Sequence, residues 1–426
     1  IIRPRDGDFI PATSEVAVVN TRVLFVSVVT VGALALTACG SKGEAGPSAG
    51  SGDTLTLGAS VSLTGKLARE GTLTQEGYKL CVEKVNAKGG VKVGGKTLKL
   101  AVSYQDDTSK PDTAAQLVDQ FNDQGIKLIL GSYGSANTEA QAAVIERNNQ
   151  VMVDSSGADN NIFAKGYKRT FGVLSPATEY AASIVKAVAE LASPKPTSVV
   201  VLSADDGFSK RAADGAAKAA KDLGFTVLET QYFPNGATDV SASLNKVKAS
   251  NPDVIIGSVH LAEGVAIIKQ AKELGVVPKV FGETVAPPTP DFVTTLGKDA
   301  EGVLGSSQWT KSANGTDDYF GTAKQYDADI QAKFKHEAGY HNAEASAACL
   351  AFVLAIQKAG STDANKVRDA LAALDAPSFF AQLKFDAVGM NSTKPMSVIQ
   401  IQGGKQVTVW PKTSAEAALI WPGTTK

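Results

Sequence analysis

Histidine is scarce in this chain, with 3 in 426 residues, and none of His260, His336 and His341 stands in a close pattern with cysteine or carboxylates. A zinc site needs several such ligands converging, so no metal is expected, and no other cofactor. Positive charge is not in excess either. Lys and Arg number 42 against 43 Asp and Glu, a net charge of −1 with no arginine cluster, which argues against a nucleic-acid partner. Beyond residue 38 no apolar run approaches the ~18 residues that a membrane-spanning helix requires. Catalytic signatures are missing as well. There is no Gly-x-Ser-x-Gly elbow, no phosphate-binding Gly-Lys-Ser/Thr at Gly65-Lys66, and no nucleophile arranged with a histidine. The expectation is a protein that is not an enzyme.

Cysteine is equally rare, and its three positions are informative. Cys39 follows an uncharged apolar stretch, Val23–Leu36, which itself follows Arg22. The stretch closes on Leu36-Thr37-Ala38-Cys39-Gly40, after which the chain turns to Ser, Gly, Lys, Glu and Pro. A basic residue, a short apolar core and small residues before the cut make a secretory signal, too short to span a bilayer. The Leu-Thr-Ala-Cys ending resembles the lipobox of bacterial lipoproteins, in which the cysteine is lipidated and becomes the first residue of the mature chain. The alternative is an ordinary signal peptide that ends near a cysteine. Residues 1–38 are therefore read as a signal, and the protein is expected outside the cell membrane, lipid-anchored to its outer face. Asp6, Asp8 and Glu15 sit where a signal should be positive, and no Met precedes Met152. Translation is accordingly expected to start near Val19, with 1–18 upstream of it. Cys81 and Cys349 lie on separate helical patterns. Two buried free thiols are expected there, with a disulfide as the alternative.

Residues 39–53 hold no large apolar side chain beyond Cys39 and read as a flexible, lipid-anchored linker. From Leu55 the texture is periodic. Strand-like runs at Leu55–Val61, Leu98–Tyr104, Ile126–Leu130 and Val151–Val153 alternate with helical spacing at Leu73–Asn86, Pro111–Gln124 and Asn137–Arg147. The pattern begins again near Tyr180. Helices are expected at Tyr180–Leu191, Lys210–Leu223, Val240–Ala249 and Val265–Leu274, and strands at Ser198–Leu202, Thr226–Gln231, Val254–Ile256 and Val280–Phe281. Short apolar strands separated by helices mean parallel sheets covered on both faces. Some ten strands are too many for one sheet of this style, so the fold class is α/β with two doubly wound lobes. Asp317–Leu374 is mostly helical. Gln382–Phe385, Val398–Ile401 and Val407–Trp410 form a β-rich tail.

Several segments, in order and spacing, resemble the leucine/isoleucine/valine-binding protein family of ABC importers. They are Gly58-Ala-Ser-Val-Ser-Leu-Thr-Gly65, Gly71, Gln75-Glu-Gly-Tyr-Lys-Leu80 and Val85-Asn-Ala-Lys-Gly-Gly90. Asp106-Asp107, Leu130-Gly-Ser-Tyr-Gly-Ser135, Gly282-Glu283, Glu301-Gly302 and Gln357-Lys-Ala-Gly-Ser361 continue the series. The similarity runs from about Leu55 to Phe385. It implies the type I periplasmic binding protein fold, two α/β lobes joined by three hinge crossings with the ligand in the cleft. Lobe I would comprise 54–173 and 308–384, and lobe II 174–307 and 385–426. The crossings would fall near Phe171–Leu174, Ser306–Trp309 and Phe385–Asp386.

Open parallel sheets bind ligands beyond the carboxyl ends of their strands, where helix N-termini present free N–H groups. Ser132–Asn137 is such a loop. By the resemblance Ser135 holds a carboxylate, and Tyr133 and Gly134 touch the ligand's side chain; a simple helix N-cap is the alternative. In Asp154-Ser-Ser-Gly-Ala-Asp159, Ala158 stands where the family carries a threonine hydroxyl, so Ser156 or backbone N–H groups would substitute. An aspartate here could instead cap the following turn. Phe208 occupies an aromatic position of the family, with a core role equally open. His260 falls where leucine-type proteins place a tyrosine that contacts the ammonium, and a structural histidine is the alternative. Glu283 is the candidate to neutralise an ammonium. Trp309, beside the second crossing, would cover the pocket. Glu70 takes a rim position, facing the cleft or carrying a solvated charge. The expected function is capture of a small amino-acid-like solute, with hinge closure and delivery to an ABC permease and its ATPase. The alternatives are a ligand-sensing receptor component of the same fold, or an importer component for an amide or an aromatic carboxylate.

Overall fold

The computed structural model describes residues 53–424. The signal, the linker up to residue 52 and Cys39 lie outside the described residues.

The first half of the chain runs β1 (Thr54–Val61), α1 (Ala68–Ala87), β2 (Val91–Val93), β3 (Lys96–Asp106), α2 (Pro111–Asp123), β4 (Leu128–Leu130), α3 (Ser135–Arg147), β5 (Val151–Asp154), α4 (Asn160–Ala164) and β6 (Thr170–Gly172). These strands form one sheet in the order β2-β3-β1-β4-β5-β6. All its pairings are parallel except the short β2–β3 edge. Central strands are buried on both faces, which is why Leu128–Leu130 and Val151–Asp154 read as unbroken runs rather than as alternation.

The chain then runs α5 (Ala177–Leu191), β7 (Ser198–Ala204), α6 (Gly207–Asp222), β8 (Thr226–Phe233), α7 (Ser241–Ser250), β9 (Val254–Ser258), α8 (Leu261–Leu274), β10 (Val280–Glu283), α9 (Asp291–Leu296) and β11 (Leu304–Ser307). It continues through β12 (Thr316–Asp317), β13 (Gly321–Thr322), α10 (Ala323–Phe334), α11 (Tyr340–Ala359), α12 (Ala364–Ala372), β14 (Asp375–Ala376), β15 (Leu383–Lys384), β16 (Ser397–Gln402) and β17 (Lys405–Trp410). The second sheet has the order β17-β16-β11-β10-β9-β7-β8, with β16 and β17 added antiparallel at one edge. The molecule is thus two doubly wound α/β lobes. Helix α11 returns from the second sheet to pack on α1 of the first lobe.

The chain passes from the first sheet to the second between Gly172 and Ala177, and leaves the second sheet after Ser307. The return after β15 comes later than Phe385–Asp386. Gly172 bridges Met390, its N–H donates to Gly389 (2.8 Å), and Asn391 N–H donates to Gly172 (3.0 Å), so the backbone stays on the first sheet past residue 386. It reaches the second sheet only at Ser397.

One expectation is overturned by packing. Helices α1 and α11 approach so closely at Gly77 that an added Cβ would sit 2.2 Å from the Asn342 carbonyl oxygen. One helical turn further, Cys81 faces Cys349, and the two form a disulfide with Cα atoms 6.3 Å apart. The expected free thiols are corrected to a bonded pair. Helical periodicity shows that each cysteine faces inward but not which helix it meets.

Candidate solute-binding cleft

The carboxyl ends of both sheets face one another across a cleft. From the first lobe come the β4–α3 loop, the β5–α4 loop and the start of α11. The second lobe contributes α5, the N-termini of α6 and α8, and the segment after β10. Between them lies a cavity of about 10 Å³ lined by Tyr133, Gly134, Ser135, Ser156, Tyr180, Phe208, His260, Val285, Tyr340 and Glu344. That is room for about one water in this arrangement of the lobes.

The β4–α3 loop is held from beneath by a buried polar network. Asp107, fully buried, accepts hydrogen bonds from the hydroxyls of Ser60 (3.2 Å), Ser62 (2.6 Å) and Ser132 and from Ser109 N–H (2.9 Å). Gly134 then turns the chain at φ +92°, a conformation that disfavours any side chain, and it serves as the N-cap of α3. Ser135 is therefore the first helical residue rather than the cap. Its Oγ accepts the Asp159 N–H (3.1 Å), which leaves its own proton free to donate. The β5–α4 loop is organised by Asp154, whose carboxylate accepts from Ser156 N–H (3.1 Å), Gly157 N–H (2.9 Å) and the Thr138 hydroxyl (3.1 Å). Burial outweighs these bonds and raises the Asp154 pKa to about 6. Asp159 caps α4 through Asn161 N–H (3.0 Å).

Glu344, in the second turn of α11, is the cavity's buried carboxylate. Ser156 Oγ donates to its Oε1 (2.8 Å), while Oε2 is buried without a partner. Burial pushes its pKa well up and Asp154 adds to this, against the Ser156 hydroxyl and Lys394, which pull it down. Aromatic rings enclose it. Tyr180 meets Phe208 edge to face at 5.0 Å, and Phe208 lies 5.4 Å from His260. His260 Nδ1 contacts the Tyr133 hydroxyl across the cleft (3.2 Å). Burial opposes a charge on His260, but Asp206, at 3.8 Å, together with Glu263 and Glu70 outweighs it and raises the pKa to about 9.

Of the residues singled out in the sequence, Tyr133, Gly134, Ser135, Ser156, Phe208 and His260 meet at this cavity. The other four lie elsewhere. Ala158 is buried beside the cleft, its carbonyl accepting the Ala177 N–H at the start of α5 (2.8 Å). Glu283 is fully buried with both carboxylate oxygens unpartnered, packed against Gly257 and Gly264 below the start of α8. Strand alternation sends its side chain to that helix face, along with Phe281, so it is Glu344 that supplies the cavity's carboxylate. Trp309 donates from Nε1 to the Phe379 carbonyl (3.1 Å) within an aromatic cluster with Tyr326, beside the hinge rather than over the pocket. Glu70 is 3% exposed, so it is not a solvated charge. It lines a neighbouring crevice of about 270 Å³ with Arg69, His260 and Glu263, where Arg69 pairs with Asp291 of the opposite lobe.

Tyr180, Val285, Tyr340 and Glu344 were not singled out. For Glu344 a signal exists, an acid set in a long run of small and apolar residues, Ala343–Ile356, where a buried charge needs a partner.

Two lobes joined by three crossings, with convergent hydroxyls and a buried carboxylate between them, define a hinged binding protein. The chain belongs to the periplasmic binding protein family, whose model matches residues 54–406. It is 24% identical over 380 residues to Leu/Ile/Val-binding protein homolog 7 of Brucella melitensis biotype 1, covering 86% of this chain and 94% of that one. Its fold is similar to that of LivJ from Streptococcus pneumoniae, a branched-chain amino acid transporter substrate binding protein in complex with isoleucine. There the TM-score is 0.72 and the identity 22%, over 87% of this chain and 100% of the other. It is also similar to a solute binding protein of an ABC transporter from R. palustris in complex with benzoate, with TM-score 0.71 and 15% identity over 86% and 98% of the two chains.

Proposed function

We propose that this protein is the extracytoplasmic solute-binding component of an ABC importer, tethered through a lipid on Cys39, and that it captures a small amino-acid-like solute. It binds and releases the solute unchanged, and a permease with its ATPase carries the solute inward. The observation that carries this reading is the unpartnered Oε2 of Glu344 at a cavity walled by aromatic rings. A buried carboxylate of this kind fits an ammonium, which restores the charge that burial disfavours, while aromatic faces add cation–π attraction. The Ser135 hydroxyl proton and the N-terminus of α3 support binding of the solute's carboxylate on the same side. The isoleucine complex of the Streptococcus pneumoniae protein agrees with such a solute. Closure would turn on hinge segments near 173–176, 308–310 and 391–396, with the first lobe running to about residue 390.

A second reading, an aromatic carboxylate, has one observation in its favour. His260 carries a raised pKa of about 9 beside Phe208 and Tyr133, a cation among rings, and the R. palustris relative was solved with benzoate. Calorimetric titration of the purified protein with L-isoleucine, polar amino acids, amides and benzoate separates the two. An amino acid is expected to bind tightest; benzoate outbinding every amine would overturn the first reading.

The anchor is tested separately. Cys39→Ala is expected to release the protein into the medium or leave an uncleaved precursor, read by fractionation and intact mass. Unchanged membrane retention and processing would refute lipidation.

A further inference from the structure

The three crossings are fastened to one another by a single buried cluster. Ser175 lies in the first crossing, Gln308 in the second and Lys394 in the third. Gln308 Oε1 accepts the Ser175 N–H (3.1 Å) and its Nε2 donates to the Ser175 carbonyl (3.1 Å), so the side-chain amide pairs with the first crossing's backbone. The Ser175 hydroxyl donates to the Lys394 carbonyl (2.7 Å). Lys394 Nζ closes the ring, donating to Gln308 Oε1 (2.9 Å), to the Gln308 carbonyl and to the Pro395 carbonyl (3.2 Å). Three carbonyl-type acceptors match the three protons of an ammonium. All three residues are buried, Lys394 at 6% exposure, with its Nζ 4.6 Å from the centre of the Phe380 ring.

The cluster also reaches the cavity. The first crossing runs directly into α5, whose Tyr180 lines the cavity. The Lys394 cation favours the charged form of Glu344, while burial, partly offset by Glu344, lowers the pKa of Lys394 itself to about 7. Structural support alone does not call for a lysine. A buried ammonium is costly to desolvate, and an apolar side chain of similar length would fill the same space at lower cost.

We propose that Lys394 is a positioning residue that fastens the three crossings to one another and, through the first crossing and α5, couples the hinge to the solute cavity. This rests on the reading of the cleft as the solute site. With the ammonium in place, Glu344 holds its negative charge more readily, which readies it for a cationic amine. Around Glu344 stand Ser156 as donor, Asp154 as an opposing acid, the rings of Tyr133, Tyr180 and Tyr340, and Lys394 as the cation. Around Lys394 stand Gln308, Ser175, the Phe380 ring and Glu344.

The test compares the wild-type chain with Lys394→Met, which keeps length and removes charge, and with Ser175→Ala, which removes one hydrogen bond. Solution scattering without solute reads the hinge. Lys394→Met is expected to give a larger radius of gyration than wild type, and Ser175→Ala a smaller shift the same way. Superimposable curves for all three, with melting confirming folded protein, would overturn the fastening role. Titration with L-isoleucine across pH reads the coupling. Lys394→Met is expected to bind about tenfold weaker or worse, and to lose binding at a higher pH on acidification, because Glu344 protonates more readily without the cation. A variant that melts lower yet keeps wild-type affinity and pH profile would show a merely structural lysine and overturn the coupling. If wild type does not bind L-isoleucine, the solute assignment falls while the scattering comparison still decides the hinge.

Discussion

Glu344→Gln is expected to weaken binding of an amine-bearing solute by about ten- to a hundredfold, the value of one hydrogen bond to a charged group, ~1.5–3 kcal/mol. The substitution keeps the shape of the side chain and can still meet the Ser156 hydroxyl. It removes the charge that answers the ammonium. The sign of the pH dependence follows from burial. Because burial raises the Glu344 pKa, the solute-free protein holds a proton there over a wider range than an unfolded chain does. That proton must leave when an ammonium binds, so affinity rises with pH through the raised value and is lost below it. Stability without solute runs the other way. The folded state binds more protons than the unfolded one, so this group's contribution is complete below the unfolded pKa and fades as pH rises through the folded one. Glu344→Gln should accordingly remove this contribution's pH dependence from solute-free melting while impairing binding. Calorimetric titration and melting at several pH values check both. Unchanged affinity for the native solute would mean that the solute carries no amine or does not meet Glu344, and would shift weight to the aromatic-carboxylate reading.

Removing the Cys81–Cys349 disulfide is expected to cost about 2–5 kcal/mol of stability, read as a lower urea midpoint for Cys81→Ala/Cys349→Ala and for the wild type under reductant. The two cysteines are 268 residues apart, so the crosslink closes a very long loop of the unfolded chain and ties α1 to α11. Because α11 carries Glu344 and Tyr340 and α1 carries Glu70, loss of the crosslink should also loosen the first-lobe wall of the cleft. Alkylation of the unfolded, unreduced protein supplies the check on the bond itself. Labelling of both Cys81 and Cys349 under those conditions would refute it. A disulfide also suits a protein that works outside the reducing cytoplasm.

The α/β alternation was legible because burial on both faces writes a parallel strand as a short apolar run and each covering helix as a 3.6-residue period. Leu55–Val61, Pro111–Gln124 and Tyr180–Leu191 all correspond to elements of the fold, with the start of α5 displaced to Ala177, just after Pro176. The loop after β4 was legible for a related reason. A glycine between a strand and a helix, followed by Ser135, marks a strand-end loop, and strand ends of both sheets face one place.

What tertiary structure decided was direction and partnership. Glu283 sits at the end of the right strand, yet the two-residue alternation of that strand turns its carboxylate beneath α8, away from the cavity. Glu344 lies 209 residues from Ser135 in the chain and reaches the same cavity only because α11 packs on α1. The same packing joins Cys81 to Cys349, and the meeting of three distant crossings brings Ser175, Gln308 and Lys394 into one cluster. By itself the sequence determined the two-lobed α/β fold and the family, because period, burial and glycine spacing are local properties of the chain. It could not choose which buried acid faces the cavity or which thiols and hinge segments meet, because those follow from long-range contacts that no local period encodes.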